Sequence, residues 1–260
     1  MIEHYDGSRW RWVSSGITPT LPLSELTPAS LQYVTCLSSR DCWAFGYGGH
    51  DGSAIVDRWN GNVWTEGAQE PDTVYGLQGG ECVSRRFCLA LDSDDDSRVF
   101  AWNGTTWSSQ QVPKPAGTGA EPSRISCTST AQCWIVGVAI SSRNPVALLD
   151  SWNGRSWSLS PESYVFGTVD QPSAISCITA TNCWVAGSQL VNDRGRTFLA
   201  HLVGSQWIVA QAPSDPGVLT GWGSYLGAID CVDASHLLGH WRMAHRRQSA
   251  EEPHRGMERL

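Results

Sequence analysis

Residues 123–157 read SRISCTSTAQCWIVGVAISSRNPVALLDSWNGRSW, and the order of features in that stretch decides the fold. An apolar segment ends at Cys127. After five residues Cys133 opens a second segment, CWIVG, and a third, VALLD, runs into Trp152-Asn153-Gly154 before Trp157. The same order recurs along the chain. Cys36, Cys82, Cys127, Cys177 and Cys231 follow one another at 46, 45, 50 and 54 residues, and the first four are each followed by a partner, Cys42, Cys88, Cys133 or Cys183. Three of those partners precede a tryptophan, at Trp43, Trp134 and Trp184. The closing segments are RWNGNVW, AWNGTTW, SWNGRSW and the weaker HLVGSQW, and the same half-motif, HYDGSRW, opens the chain at His4.

One repeat therefore reads as four strands. The first ends at the first cysteine and the second runs through the CWIVG-type residues. The third carries the VALLD-type residues, and the fourth bears the last tryptophan. Asn-Gly between strand-like runs signals a two-residue type I′ hairpin, which would set Trp59 diagonally across from Trp64. Four antiparallel strands in each repeat of 45 to 54 residues is the arithmetic of a β-propeller blade. The expectation is an all-β propeller of about five four-stranded blades over residues 1–236. Its parts would be a strand pair at 1–12, blades at about 31–66, 77–111, 123–160 and 173–210, and a partial, incomplete last blade at 226–236. The strand pair and the partial blade would together close the ring.

Residues 237–260, LLGHWRMAHRRQSAEEPHRGMERL, break the repeat and read as an irregular tail. Shifting the codons by one base turns Leu237-Leu238 into Cys-Trp and Met257-Glu258-Arg259 into Trp-Asn-Gly, so the tail is expected to be out of frame. His236, His240 and His245 then carry no metal-site expectation, because they lack the glutamate of a zinc-protease helix.

Trp59, Trp64, Trp102, Trp107, Trp152, Trp157 and Trp207 are expected to pack one blade on the next, since aromatic side chains dominate core burial. The cysteines of a pair are six positions apart around a short hairpin loop, where facing side chains can bridge. The pairs Cys36–Cys42, Cys82–Cys88, Cys127–Cys133 and Cys177–Cys183 are expected to be disulfides, leaving Cys231 as an orphan. A zinc site is the competing reading, but it needs four convergent ligands, usually at closer spacing.

The chain is 260 residues long, 41% hydrophobic and of net charge −7, with a single lysine, Lys114. That balance argues against a nucleic-acid partner, which would leave a basic excess. No apolar run approaches the roughly 20 residues of a membrane helix, so neither membrane insertion nor an export signal is expected from the sequence. The cysteine pairs nevertheless imply an oxidising compartment. An extracellular or cell-surface location is expected, with a start site further upstream.

Chemistry is sparse. Asp92, Asp94 and Asp96 form a D-x-D-x-D run that could begin a calcium loop, but the glycine expected at its sixth position is Ser97. Apart from that calcium option no cofactor is expected. Asp57 and Asp150 recur at one blade position, which spreads them around a ring, whereas acid–base catalysis needs two carboxylates within about 10 Å. No nucleophile elbow, P-loop or dinucleotide glycine pattern occurs, so no catalytic residue is assigned.

The S-C-x5-C-W and W-N-G-x-x-W repeats resemble the Cys/Trp-repeat β-propeller proteins of high-GC, actinobacterial-type bacteria, over nearly the whole chain to about residue 236. That resemblance implies an exported propeller. The G-x-x-W turns are also similar to the Asp-box, or BNR, turn of sialidase-like propellers. The Asp position two before that glycine is Trp59, Trp102 or Trp152, so sialidase activity is not implied. A Trp-rich five-bladed ring looks like the tachylectin-type sugar-binding propellers in architecture. The loops between second and third strands vary (GYGGHDGS, DSDDDSR, AISSRNP, QLVNDRGR), as do the linkers near 113–122 and 213–223. Variable loops on a rigid scaffold usually carry specificity. The expected function is a non-enzymatic, monomeric binding propeller that recognises carbohydrate or protein at that loop face. The alternatives are a glycan-active propeller hydrolase and a degraded, non-functional gene product.

Overall fold

The four segments of each complete repeat become four strands that pair in chain order, each antiparallel to the next. The computed structural model describes residues 2–5, 8–14, 30–48, 53–67, 71, 75–94, 97–140, 145–161, 171–191, 194–210, 224–233, 236–243 and 257–259. The chain forms two units, Met1–Asp94 with Arg98–Gln111, and Asp95–Ser97 with Val112–Leu260.

The first unit holds a two-stranded sheet, β1 (Ile2–Tyr5) and β2 (Trp10–Val13), and two complete sheets. These are β3 (Ser30–Ser38), β4 (Asp41–Gly48), β5 (Ser53–Trp59) and β6 (Trp64–Glu66), then β7 (Leu77–Ser84), β8 (Phe87–Asp92), β9 (Arg98–Trp102) and β10 (Trp107–Gln111). The second unit holds two further complete sheets. They are β11 (Gly119–Ser129), β12 (Gln132–Ile140), β13 (Val146–Trp152) and β14 (Trp157–Leu159), then β15 (Gln171–Thr179), β16 (Asn182–Val191), β17 (Arg194–Val203) and β18 (Gln206–Ala210). A three-stranded sheet follows, β19 (Ser224–Asp233), β20 (His236–Met243) and β21 (Met257–Arg259).

The cysteines of each pair sit directly opposite each other on the first two strands, with Cα atoms 4.0 Å apart, and form the disulfides Cys36–Cys42, Cys82–Cys88, Cys127–Cys133 and Cys177–Cys183. The third-strand tryptophan locks onto the same loop. The indole N–H of Trp59 donates to Ser39 O at 3.2 Å, that of Trp102 to Arg85 O at 3.1 Å and that of Trp152 to Thr130 O at 3.0 Å. Cysteine loop and Asn-Gly turn therefore lie together at one end of each of these sheets.

The hairpin differs from its expected form. Trp59 and Trp64 are paired directly, not diagonally, as are Trp102 with Trp107 and Trp152 with Trp157. Their rings are 5.4 to 5.7 Å apart. The turn holds four residues because the asparagine side chain organises it: Asn153 Oδ1 accepts the backbone N–H groups of Arg155 and Ser156 at 2.9 and 3.0 Å. Only the glycine, at φ +90° for Gly154, enters the left-handed region, whereas a type I′ turn needs both central residues there. In HLVGSQW, where valine replaces asparagine, Val203 pairs with Gln206 around a two-residue turn.

Two of the tryptophans that follow a second cysteine meet a tryptophan of the next sheet in their unit, Trp43 the third-strand Trp102 at 6.0 Å and Trp134 the fourth-strand Trp207 at 5.4 Å. In the second unit the serine of each S-C pair stitches the sheets together. Ser126 Oγ accepts the Cys177 N–H and Ser176 Oγ the Cys231 N–H, both at 3.1 Å. Ser173 Oγ adds a bond to Leu226 O at 2.6 Å.

The glycine of CWIVG has a steric cause. Gly46, Gly137 and Gly187 lie opposite Leu31, Pro122 and Pro172, where a register shift bulges the first strand. A Cβ at any of the three would land on the backbone of that strand.

The expectation of an irregular tail needs correction. His236–Met243 forms β20, paired with β19, and Met257–Arg259 pairs with β20 as β21. Ladder hydrogen bonds use backbone groups alone, so a segment without strand patterning can still pair.

Candidate functional site

The described surface is unusual at β1 and β2. Alternation sends Ile2, His4 and Val13 toward the first complete sheet, where Ile2 and Val13 pack on Trp59 and Trp64 and the His4 ring lies 5.0 Å from Trp59. Glu3, Tyr5, Trp10 and Trp12 take the opposite face. Tyr5 is 50% exposed and Trp10 and Trp12 are each 66% exposed, and the Tyr5 and Trp10 rings are 5.5 Å apart. By sequence, Tyr5 and Trp10 occupy the places of Trp59 and Trp64, which are buried. Both pairs share one sequence pattern, and only burial tells them apart.

A cavity of about 380 Å³ adjoins this surface, lined by β1, by Trp10 and by the first two strands and the tryptophans of the sheet that follows. Its walls are mainly apolar, with Tyr33, Trp59 and Trp64 among them, and its polar groups include Glu3, His4 and Gln32. An apolar hollow with a few polar groups is the usual form of a small-molecule site.

The tryptophans expected to pack are mostly core. Trp59, Trp64, Trp102, Trp152, Trp157 and Trp207 are buried, and Trp107 is partly buried with its ring edge-on to Phe45 at 6.5 Å. Of the variable loops expected to carry specificity, residues 49–52, 95–96, 141–144, 192–193 and 213–223 lie outside the described residues.

The aspartates separate into distinct environments. Asp92 and Asp94 both face Arg98, whose guanidinium nitrogen is 3.0 and 3.5 Å from their carboxylates. Asp96, the third aspartate of the run, lies outside the described residues. Among the described residues no group of three or more His, Cys, Asp or Glu converges as metal ligands do. Asp41 is buried and bridges Arg58 and Arg85, and the Arg58 guanidinium also lies over the Trp43 ring at 5.2 Å. Asp57 and Asp150 are wholly buried, so neither can reach a substrate. Neither Asp150 oxygen has a hydrogen-bond partner, and burial pushes its pKa up to about 8. The protonated acid is therefore the form that the fold holds at neutral pH. His201 stacks on Trp184 at 4.0 Å and bonds Asn182 Oδ1 at 2.8 Å, and partial desolvation lowers its pKa.

Among solved structures the chain is similar to the SapL1 lectin in complex with α-methyl fucoside, with 12% identity, a TM-score of 0.56 and coverage of 94% of this chain and 84% of that one. It is similar to Aleuria aurantia lectin, described as a six-bladed β-propeller, with 11% identity, a TM-score of 0.55 and coverage of 90% and 77%. The fold is that of a β-propeller. A mutant of the same fungal lectin in complex with Fucα1-6GlcNAc gives 11% identity, a TM-score of 0.57 and coverage of 90% and 76%. The sequence matches no protein-family model and no curated protein. In this propeller the described residues form four complete sheets, with a two-stranded and a three-stranded sheet besides.

Proposed function

We propose that this propeller is an exported, non-enzymatic carbohydrate-binding protein of the Cys/Trp-repeat type, and that sugar stacks on the open face of β1 and β2. The observation that carries the reading is the exposure of Tyr5, Trp10 and Trp12 on one sheet face. Leaving three large aromatic side chains in water forgoes several kcal/mol of burial, at roughly 1.5–3 kcal/mol per large apolar side chain. Such patches on soluble proteins mark binding surfaces. A pyranose ring offers a face of C–H groups to an aromatic ring and a rim of hydroxyls to polar neighbours, and Glu3 lies on the same face. The fold shared with fucoside-binding lectins makes fucosides the first probes. The four disulfides support export, because they persist in an oxidising compartment.

Titration with α-methyl fucoside and a glycan array test this. The intact protein is expected to bind at least one glycan class. The double variant Trp10→Ala, Trp12→Ala is expected to bind it at least tenfold more weakly, with an unchanged melting temperature because both side chains already face water. Mild oxidation with N-bromosuccinimide should modify Trp10 and Trp12 first, and a bound glycan should protect them. A blank array, equal binding by the double variant, or resistance of both tryptophans to oxidation without ligand would overturn the reading.

A further inference from the structure

The three-stranded sheet is built as a fifth repeat up to β19 and departs from it at β20. Cys231 is seated as a first cysteine: Ser176 Oγ accepts its N–H at 3.1 Å, the bond Ser126 makes to Cys177. The register shift between Leu226 and Ala228 repeats those between Pro122 and Arg124 and between Pro172 and Ala174. Opposite this correct first strand stand the wrong residues. Leu237 occupies the second-cysteine place, and Trp241, paired with Leu226, occupies the place of Gly46, Gly137 and Gly187. A Cβ at those three glycines falls on first-strand backbone, so the geometry calls for glycine there too. The third strand is also misplaced. Met257 pairs with His240, whereas Trp59, Trp102, Trp152 and Leu202 pair with the second cysteines of their sheets.

The genetic code converts each misfit into the missing residue. Read one base later, the codon beginning in Trp241 starts GG, because tryptophan has only the codon TGG, and it encodes glycine whatever base follows. The codon beginning in Met257 joins TG of ATG to the G that opens every glutamate codon, giving tryptophan with no choice at all. Leu237 becomes cysteine if its codon ends in G, and Leu238 becomes tryptophan on the same condition. The shifted strand reads Cys-Trp-x-(Ile or Thr)-Gly, with the cysteine six residues after Cys231 and the glycine four further on. Those are the intervals of Cys127, Cys133 and Gly137. Glu258-Arg259 written GAA CGG adds Asn-Gly after the new tryptophan. We propose that residues from 237 onward are the fifth repeat translated one base out of frame, and that the shifted frame encodes a fifth disulfide-closed sheet.

This inference concerns the pairing edge of β19 and does not depend on the sugar site. Sequencing the gene and its transcript across codons 230–260 is the first test. It is expected to show codons ending in G at Leu237 and Leu238, and GAA CGG at Glu258-Arg259. Any other bases at 237 and 238 would end the proposal. The second test deletes or adds bases just before codon 237 to restore the shifted frame and counts thiols in the denatured, unreduced product. The chain as written is expected to give one reactive thiol and the restored chain none, with a melting temperature several degrees higher. A restored chain that keeps Cys231 free, or that melts no higher, would overturn it.

Discussion

Replacing Gly137 by alanine is expected to destabilise the protein by about 3 kcal/mol or more, while Gly119→Ala, in the same sheet, costs less than about 1 kcal/mol. A Cβ at Gly137 falls on Glu121 O and lies 2.8 Å from Pro122 Cα. Both are backbone atoms of a strand pinned by the Cys127–Cys133 disulfide and by the Ser123 bond to Pro172 O in the next sheet. Neither can rotate away as a side chain would. At Gly119 the nearest such atom is 4.0 Å distant, so the methyl group fits. Urea unfolding of the two variants reads the difference directly. Equal stability would mean that the bulged strand does not press on the second strand as described.

Stability is expected to fall as pH rises from about 4 to about 8, and Asp150→Asn is expected to remove most of that slope. Burial alone raises the Asp150 pKa from its ordinary 3.8 to about 8. The folded state thus holds a proton that the unfolded chain releases above its own, lower pKa. Below pH 3.8 both states are protonated and the group contributes no penalty. Between the two values the proton must be retained at increasing cost, and above about 8 the full cost is reached. Four units at about 1.36 kcal/mol each sets the scale on the order of 5 kcal/mol. The asparagine variant should be the more stable protein at pH 9 and the wild type should match or exceed it at pH 4. Parallel stability curves for the two proteins between those pH values would show that Asp150 is not held protonated in the core.

The repeat makes most of the fold legible in the sequence. Six-residue cysteine spacing gave the disulfide-linked strand pair, and the W-N-G segment gave the third and fourth strands. What escaped has physical reasons. The Asn-Gly dipeptide implies a two-residue turn, yet the Asn153 side chain caps a four-residue one, a choice that depends on where the oxygen points. Ser126 and Ser176 look like ordinary strand serines, because their bonds run to a sheet some 50 residues away in sequence. Asp150 and Asp57 share one position in their repeats, and only the apolar surroundings of Asp150 reveal a carboxyl held neutral. Tyr5 and Trp10 share the pattern of Trp59 and Trp64, and a repeat cannot say which copy is left uncovered. The sequence of β20 carries no strand alternation, although its backbone pairs with β19.

Peptide mapping of the unreduced protein by mass spectrometry tests the central claim, that each repeat is one sheet closed by its own disulfide. Four linked pairs are expected, Cys36–Cys42, Cys82–Cys88, Cys127–Cys133 and Cys177–Cys183, with Cys231 alkylated as a free thiol. A linkage between cysteines of different repeats, or free thiols at these eight positions in protein taken from its native compartment, would contradict it.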